Sequence, residues 1–433
     1  MPQDVTPAQA RRGLAWLSSP TGTAVVALGI TQITAWGTTL YVLGVLGAPI
    51  MAELGWSRSL VFGGLTAGLL VSALVSTWTG RMIDRRGARL VMSIGSVLSA
   101  IGLAALSQVR DPFTYLAVWA FLGVAMRFTL YDAAFAALVQ VTPAHGRRAI
   151  SYLTLFGGFA STIFWPIGHW LDLAIGWRAT LLVFAGLGLL VCLPLHWWGL
   201  ARREPDAPAS AAASGAAVDA ATPRASPLHG RERIIAMVLF SCIMSANAFV
   251  FGAVAVHLVG IIEHAGVTLA VAVWLASLKG VAQVIGRTWE ILFARTMAPV
   301  NLARVAVHLL PVAFVTLLAA AVAGPAETVW VALAFTLLLG ASNGLVTIVR
   351  GAFPLALFGP KGYGEVLGIL ATPYLILNAL APVLFAVVVE WGGYGLSTWL
   401  LIAFALIATS AMEVLAWWYG RRQRGQTAPE PKE

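Results

Sequence analysis

The chain has 433 residues, 59% of them hydrophobic and only 10% charged, with a formal net charge of +9. An ordinary soluble domain carries about 25% charged residues, so the composition excludes a soluble enzyme core and identifies an integral membrane protein. The basic excess reports membrane topology rather than nucleic-acid binding, once the positions of the 27 Lys and Arg residues are read.

A hydrocarbon core of about 30 Å takes roughly 20 apolar residues per helix. In chain order the apolar runs fall at 20–47, 57–79, 90–108, 112–138, 149–171, 178–199, 234–262, 268–293, 303–323, 328–357, 364–389 and 396–419. The expected fold is therefore an all-α membrane protein with twelve transmembrane helices in two pseudo-symmetric six-helix bundles. The first run is too long for a cleavable signal and lacks a small-residue cleavage site, so it is read as a retained helix.

Residues 1–19 read as a disordered cytoplasmic tail, 20–199 as the first bundle, 200–233 as a linker, 234–419 as the second bundle and 420–433 as a second tail. The linker is rich in Ala, Pro and Ser and cannot bury enough apolar surface to fold. Lys and Arg are retained on the cytoplasmic side. With both termini inside, the inner segments hold twenty basic residues and the outer loops only Arg58, Arg110 and Arg178. The expected location is an inner membrane, with the chain a monomer in the bilayer.

Four cations remain inside apolar runs: Arg127, Lys279, Arg287 and Arg350. Each costs roughly 2.5–3.5 kcal/mol on insertion scales, so such residues usually face a polar cavity and serve a function. Lys279, Gln283 and Arg287 are spaced i, i+4, i+8 and form one polar stripe. Glu290 could equally pair with Arg287 as a structural ion pair, and Lys279 could snorkel toward water.

Arg127 and Asp132 are five residues apart, about 140° around a continuous helix, which places each against a partner on another helix. Asp132 is the candidate protonatable carboxylate, because burial disfavours its charged form; a structural partner for a neighbouring arginine is the alternative. Arg350 lies nearer the cytoplasm, where solvation by the loop is the other reading.

The first run offers Thr31, Gln32, Thr34, Trp36, Thr38, Thr39 and Tyr41. Its threonines are expected to bond their own helix backbone, leaving Gln32 and Tyr41 as candidate ligands. Asn343 and Asn378 either join helices or touch substrate. His257 and His169 could titrate near neutrality or be satisfied structural histidines. Cys192 and Cys242, the only cysteines, lie in apolar runs and read as packed, inert thiols, so neither a disulfide framework nor a thiolate metal site is expected. No phosphate-binding G-x-x-x-x-G-K-[ST] loop and no metal-ligand spacing occurs. No cofactor or metal is expected, and the driving force has to be an ion or solute gradient.

After the second run the chain reads GRMIDRRGARL, with Gly80, Asp84, Arg85, Gly87 and Arg89. The glycines permit a tight helix-to-helix turn, and Asp84 can accept the free amides of a helix N-terminus. This spacing resembles the loop signature G-x-x-x-D-R-x-G-x-R of the major facilitator superfamily, a resemblance that extends over essentially the whole chain. It implies that Asp84 latches one conformation against the eleventh helix, here starting near Gly362 or Gly364. Ala88 replaces the first of the usual paired basic residues.

Gly55-Trp56-Ser57-Arg58 and Gly176-Trp177-Arg178 are similar to the monocarboxylate-porter and oxalate/formate-antiporter branch. By that resemblance Arg287 falls where those porters hold the substrate carboxylate. A guanidinium suits the task through its fixed fork of donors. Gln283 stands where those porters have an aspartate, and the first run lacks their lysine, which argues against carboxylate-based proton coupling at those places.

The reading is a secondary transporter, not an enzyme, that moves a small organic anion by alternating access, with proton or exchange coupling through Asp132 or His257. The substrate set is Arg287, Arg127, Gln283, Gln32, Lys279, Arg350, Asn343 and Tyr41. The alternative is an exporter of drugs or toxic oxyanions and metalloids, for which the neutral, aromatic first run would suit a broader ligand.

Overall fold

The computed structural model describes residues 16, 18–205, 228–294 and 296–427. Most of the expected N-terminal tail, the middle of the linker and the last six residues lie outside them. Among the described residues, ten helical segments are long and apolar enough to cross a membrane.

Helix α1 (Pro20–Ala35) starts where Ser19 accepts the Gly22 amide and Pro20 occupies the first turn, the favoured N-terminal chemistry. It passes through a π-helical turn at Trp36–Leu40 into α2 (Leu43–Leu54), which ends at left-handed Gly55, φ 68°. The first apolar segment therefore extends beyond residue 47. Helix α3 (Arg58–Arg86) is capped by Ser57 and is followed by α4 (Ala88–Leu106).

The 80–89 motif is thus almost wholly helical, and Gly87 alone, at φ 85°, makes the turn. Gly80 does not help to make it. It sits inside α3, where a Cβ would run into the carbonyl of Gly364.

Helix α5 (Pro112–Thr129), capped by Asp111, breaks at Leu130 and resumes as α6 (Tyr131–Val141). Helices α7 (Gly146–Gly157), α8 (Ala160–Leu187) and α9 (Leu193–Gly199) form one 54-residue segment bent at Gly176, φ 77°. Then follow α10 (Gly230–His264), α11 (Leu269–Phe293), α12 (Pro299–Leu318), α13 (Pro325–Phe358) and α14 (Tyr363–Thr427), the last bent at Gly393, φ 69°. At 1.5 Å per residue, the two bent segments are far longer than one membrane crossing. Each bends where the apolar runs of the sequence are separated.

The chain divides into two compact units, Met1–Val218 with Pro360–Ile369, and Asp219–Gly359 with Leu370–Glu433. In the first, α3 and α4 pack most extensively on α5; in the second, α11 and α12 pack on α13, so the order of packing repeats. Tyr115, Trp119, Leu46 and Leu181 centre the first core, and Phe314, Phe335, Phe249 and Phe385 the second. The α11–α13 seam is built on small residues. Gly340 and Gly344 lie against the backbone of Lys279 and Gln283, an approach that larger side chains would prevent.

Cys192 is buried, but Cys242 is exposed on α10 and is not packed within its unit. The expected second tail at 420–433 is helical as far as Thr427, and α10 already begins at Gly230. The linker is also docked at its first residues. The Glu204 amide donates to Val141 O at 2.8 Å, and its carboxylate accepts hydrogen bonds from Thr21 and from Thr142 (2.9 Å), with His145 Nδ1 at 3.5 Å.

Partial burial pushes the Glu204 carboxyl up, yet the hydrogen bonds of Thr21, Thr142 and His145 outweigh it and hold the group below its ordinary value of 4.5. A folded-state value depressed in this way gives stability that is present above the unfolded value and lost as pH falls through the folded one. Thermal unfolding in detergent should therefore show Glu204→Gln melting below the parent at pH 7. The gap should close as pH falls below the usual glutamate range of about 4.3.

Candidate functional site

In an uninterrupted helix Arg127 and Asp132 would point about 140° apart, and the expectation of separate partners assumed such a helix. The structure corrects it. Leu130 is extended, φ −80° and ψ −174°, so the helix restarts and Asp132, in the first turn of α6, returns beside Arg127, in the last turn of α5. Arg127 Nη1 donates to Asp132 Oδ2, with both side chains 6% exposed.

The break also places each charge at the helix end that favours it, the cation at a C-terminus and the carboxylate at an N-terminus. Gln32 takes up a carbonyl released by the break. Its Nε2 donates to Thr129 O at 2.6 Å, while Ala133 N turns to Leu130 O. Arg127 Nε is buried without a hydrogen-bond acceptor.

Gln32 is fully buried, and its Oε1 accepts Trp36 Nε1 at 3.1 Å. Both ends of its amide are thus committed, which makes it a brace between α1 and the α5–α6 break. Thr31, Thr34, Thr38 and Thr39 bond backbone carbonyls three or four residues back, as their setting in a helix leads one to expect. In the π turn the Tyr41 amide reaches Trp36 O at 3.0 Å, so ring 41 comes round to ring 36 with centroids 5.9 Å apart. Trp36 also meets Tyr131 at 5.0 Å, and Tyr41 meets Trp165 edge-on at 6.4 Å.

In the second unit Lys279, Gln283 and Arg287 follow one another on successive turns of α11. Arg287 is 4% and Glu290 2% exposed, so opposite charges are buried within a single turn. Arg350, on α13, lies over the Tyr374 ring at 5.2 Å, a cation–π contact. Asn343 is half-buried on the same helix, and its carbonyl accepts Thr347 Oγ1. Asn378 lies against Gly252, joining α14 to α10. His257 Nε2 is 3.2 Å from Pro382 O, and His169 is exposed.

Asp84 accepts the amides of Gly364 (3.0 Å) and Glu365 (2.7 Å) in the first turn of α14, and Arg81 Nε reaches Glu365 Oε1 at 2.8 Å. These contacts lie within the first unit, which includes residues 360–369. Arg89 donates to Trp197 O at 2.6 Å with its guanidinium over that ring, whereas Arg85 is exposed.

Sequence reasoning missed several anchoring residues. Gln140 spans the Gly87 turn, accepting Ala88 N and donating to Ile83 O. Glu53 receives Trp177 Nε1 (2.6 Å) and Arg178 Nε (2.9 Å), and Arg178 also caps Ser107 O and Val109 O. The Gly176-Trp177-Arg178 motif is therefore a structural clamp. His196 is fully buried between Ser96 Oγ (2.8 Å) and Thr31 Oγ1 (3.0 Å). A polar residue inside an apolar run was the signal available for His196; Glu53 and Gln140 had none that spacing could supply.

The Major Facilitator Superfamily model matches residues 27–322, more than half of the chain, and the chain belongs to that superfamily. No curated protein matches it. Among solved structures, it resembles the crystal structure of the human organic anion transporter MFSD10 (TETRAN), at 18% identity and a TM-score of 0.65, over 90% of this chain and 98% of that one. It also resembles the structure of the superfamily's proton:xylose symporter XylE bound to 6-bromo-6-deoxy-D-glucose, at 14% identity and a TM-score of 0.67, over 92% and 95%. The protein is a multi-pass membrane transporter, not an enzyme, and moves a small solute by secondary transport.

Removing one member of a buried ion pair leaves an uncompensated charge and costs about 3–5 kcal/mol, whereas removing both is far milder. Asp132→Asn should lower the detergent melting temperature sharply, and Arg127→Gln with Asp132→Asn should recover most of the loss. Equal, additive losses would show that the pair is not coupled.

Proposed function

We propose that this protein carries a small organic anion, a carboxylate, across an inner membrane by alternating access of two six-helix bundles, as a monomer with both termini cytoplasmic. The two segments bent at Gly176 and Gly393 are read as two crossings each, which raises ten segments to twelve. The observation that carries the reading is the buried Arg127–Asp132 pair at the α5–α6 break.

A proton arriving on Asp132 neutralises its carboxyl and releases the guanidinium. A substrate carboxylate then takes that place through two parallel hydrogen bonds. When the anion leaves, Arg127 returns to Asp132 and the proton departs. The guanidinium is thus neutralised by Asp132 in the empty site and by the anion in the loaded one, and one proton travels with one anion.

Arg287, Lys279 and Gln283 along α11, with Arg350 and Asn343 on α13, are the further groups proposed to face the anion. Gly80, Asp84, Arg85, Gly87 and Arg89 are proposed as the conformational latch. Asp132 is preferred to His257 as proton carrier because His257 Nε2 already faces a backbone carbonyl. The likeness in fold to proteins described as an organic anion transporter and a proton symporter supports the reading.

Uptake of radiolabelled mono- and dicarboxylates into proteoliposomes at two external pH values tests it. Acid outside should accelerate uptake. Arg127→Ala and Arg127→Lys should lower kcat/KM about a hundredfold, or ~2.7 kcal/mol. Asp132→Asn should keep anion exchange but lose the response to the proton gradient. Unaltered transport by both Arg127 variants would sink the proposal.

A further inference from the structure

We infer that the carried anion bears a flat aromatic ring, and that Trp36, Tyr41 and Trp165 form the wall that selects it. The inference rests on the reading of Arg127 as the anion's partner.

The wall exists because of the π turn. In an α-helix Trp36 and Tyr41 would diverge by about 140°; the i to i+5 bond of Trp36–Leu40 brings them to 5.9 Å instead. Such turns are rare and concentrate at functional sites. Trp165 extends the wall edge-on at 84° to Tyr41, with its Nε1 over Gly44, where a Cβ would come within 3.3 Å. At the other end Trp36 meets Tyr131 on α6, and Gln32 ties the indole Nε1 to Thr129 O at the α5–α6 break that holds the ion pair.

The rings are tilted or edge-on to one another, not stacked. Trp36 and Tyr41 are only half-buried, and Trp165 is 50% exposed. The Trp36 edge is fixed by Gln32, which orients that ring before any ligand arrives.

Ring faces carry the negative part of the aromatic quadrupole and disfavour an anionic group. A carboxylate therefore turns to the guanidinium, while the apolar ring of the same molecule lies on the aromatic wall. An aromatic box also takes organic cations. The guanidinium beside this one, with Nε uncommitted, favours the anion.

Proteoliposome uptake of three labelled probes, benzoate, acetate and benzyltrimethylammonium, distinguishes these cases. Benzoate should exceed acetate at least tenfold, with the ammonium not carried. Trp165→Ala and Tyr41→Ala should each raise the benzoate KM about tenfold in variants that melt like the parent, and Trp165→Phe should restore it. Acetate carried as well as benzoate, or an unchanged benzoate KM in both alanine variants, overturns the aromatic wall and leaves the anion reading standing. Uptake of the ammonium alone, or of none of the three, overturns both.

Discussion

A charge in hydrocarbon needs an opposite charge or a polar lining within hydrogen-bond reach, and no other constraint shapes the first unit as strongly. Arg127 meets it with Asp132, and the chain has to interrupt a helix to make the meeting possible. That interruption releases a backbone carbonyl, which recruits Gln32 from α1, which in turn holds Trp36. One electrostatic requirement thus fixes the relation of α1, α5 and α6 and the orientation of an aromatic ring beside them. Every member of this network is polar and mostly committed, as a buried network has to be if it is to add rigidity instead of cost.

The same economy recurs at the helix ends. Glu53 gathers an indole and a guanidinium, and through Arg178 also the carbonyls at 107 and 109. Glu204 gathers two threonines and a histidine. Asp84 takes two amides at the start of α14. Each is one acidic side chain closing several loose backbone or side-chain donors where helices enter or leave the apolar layer. That is where unsatisfied groups would otherwise accumulate.

How much was legible in the sequence depended on whether regular periodicity applied. Apolar runs located the long helices because the membrane enforces a length and a composition, and the 80–89 motif marked a turn because only Gly87 could adopt its conformation. The polar stripe on α11 follows from an unbroken 3.6-residue repeat. The Arg127–Asp132 and Trp36–Tyr41 pairs did not follow. Both are spaced i, i+5, a separation that an ideal helix sends to different faces, and both come together through a local departure from that helix. Neither Leu130 nor the segment Trp36–Leu40 contains a proline that would have announced it. Gly80 misled in the opposite direction: a glycine beside a turn suggested flexibility, whereas its use is room for another backbone. The partners of Glu53 and Gln140 lie far along the chain and were beyond any local pattern.

The wide turn at Trp36–Leu40 can be regarded as a helix that has absorbed one surplus residue without being rebuilt on either side. Were the same residues to wind as an ordinary α-helix instead, everything downstream as far as Leu54 would swing by about 100°. Tyr41 and Gly44 would leave their present neighbours together, while Gln32 and the residues before it would stay in place. The wide turn thus sets the phase of the first segment, deciding which side chains beyond it face Trp36 and Trp165.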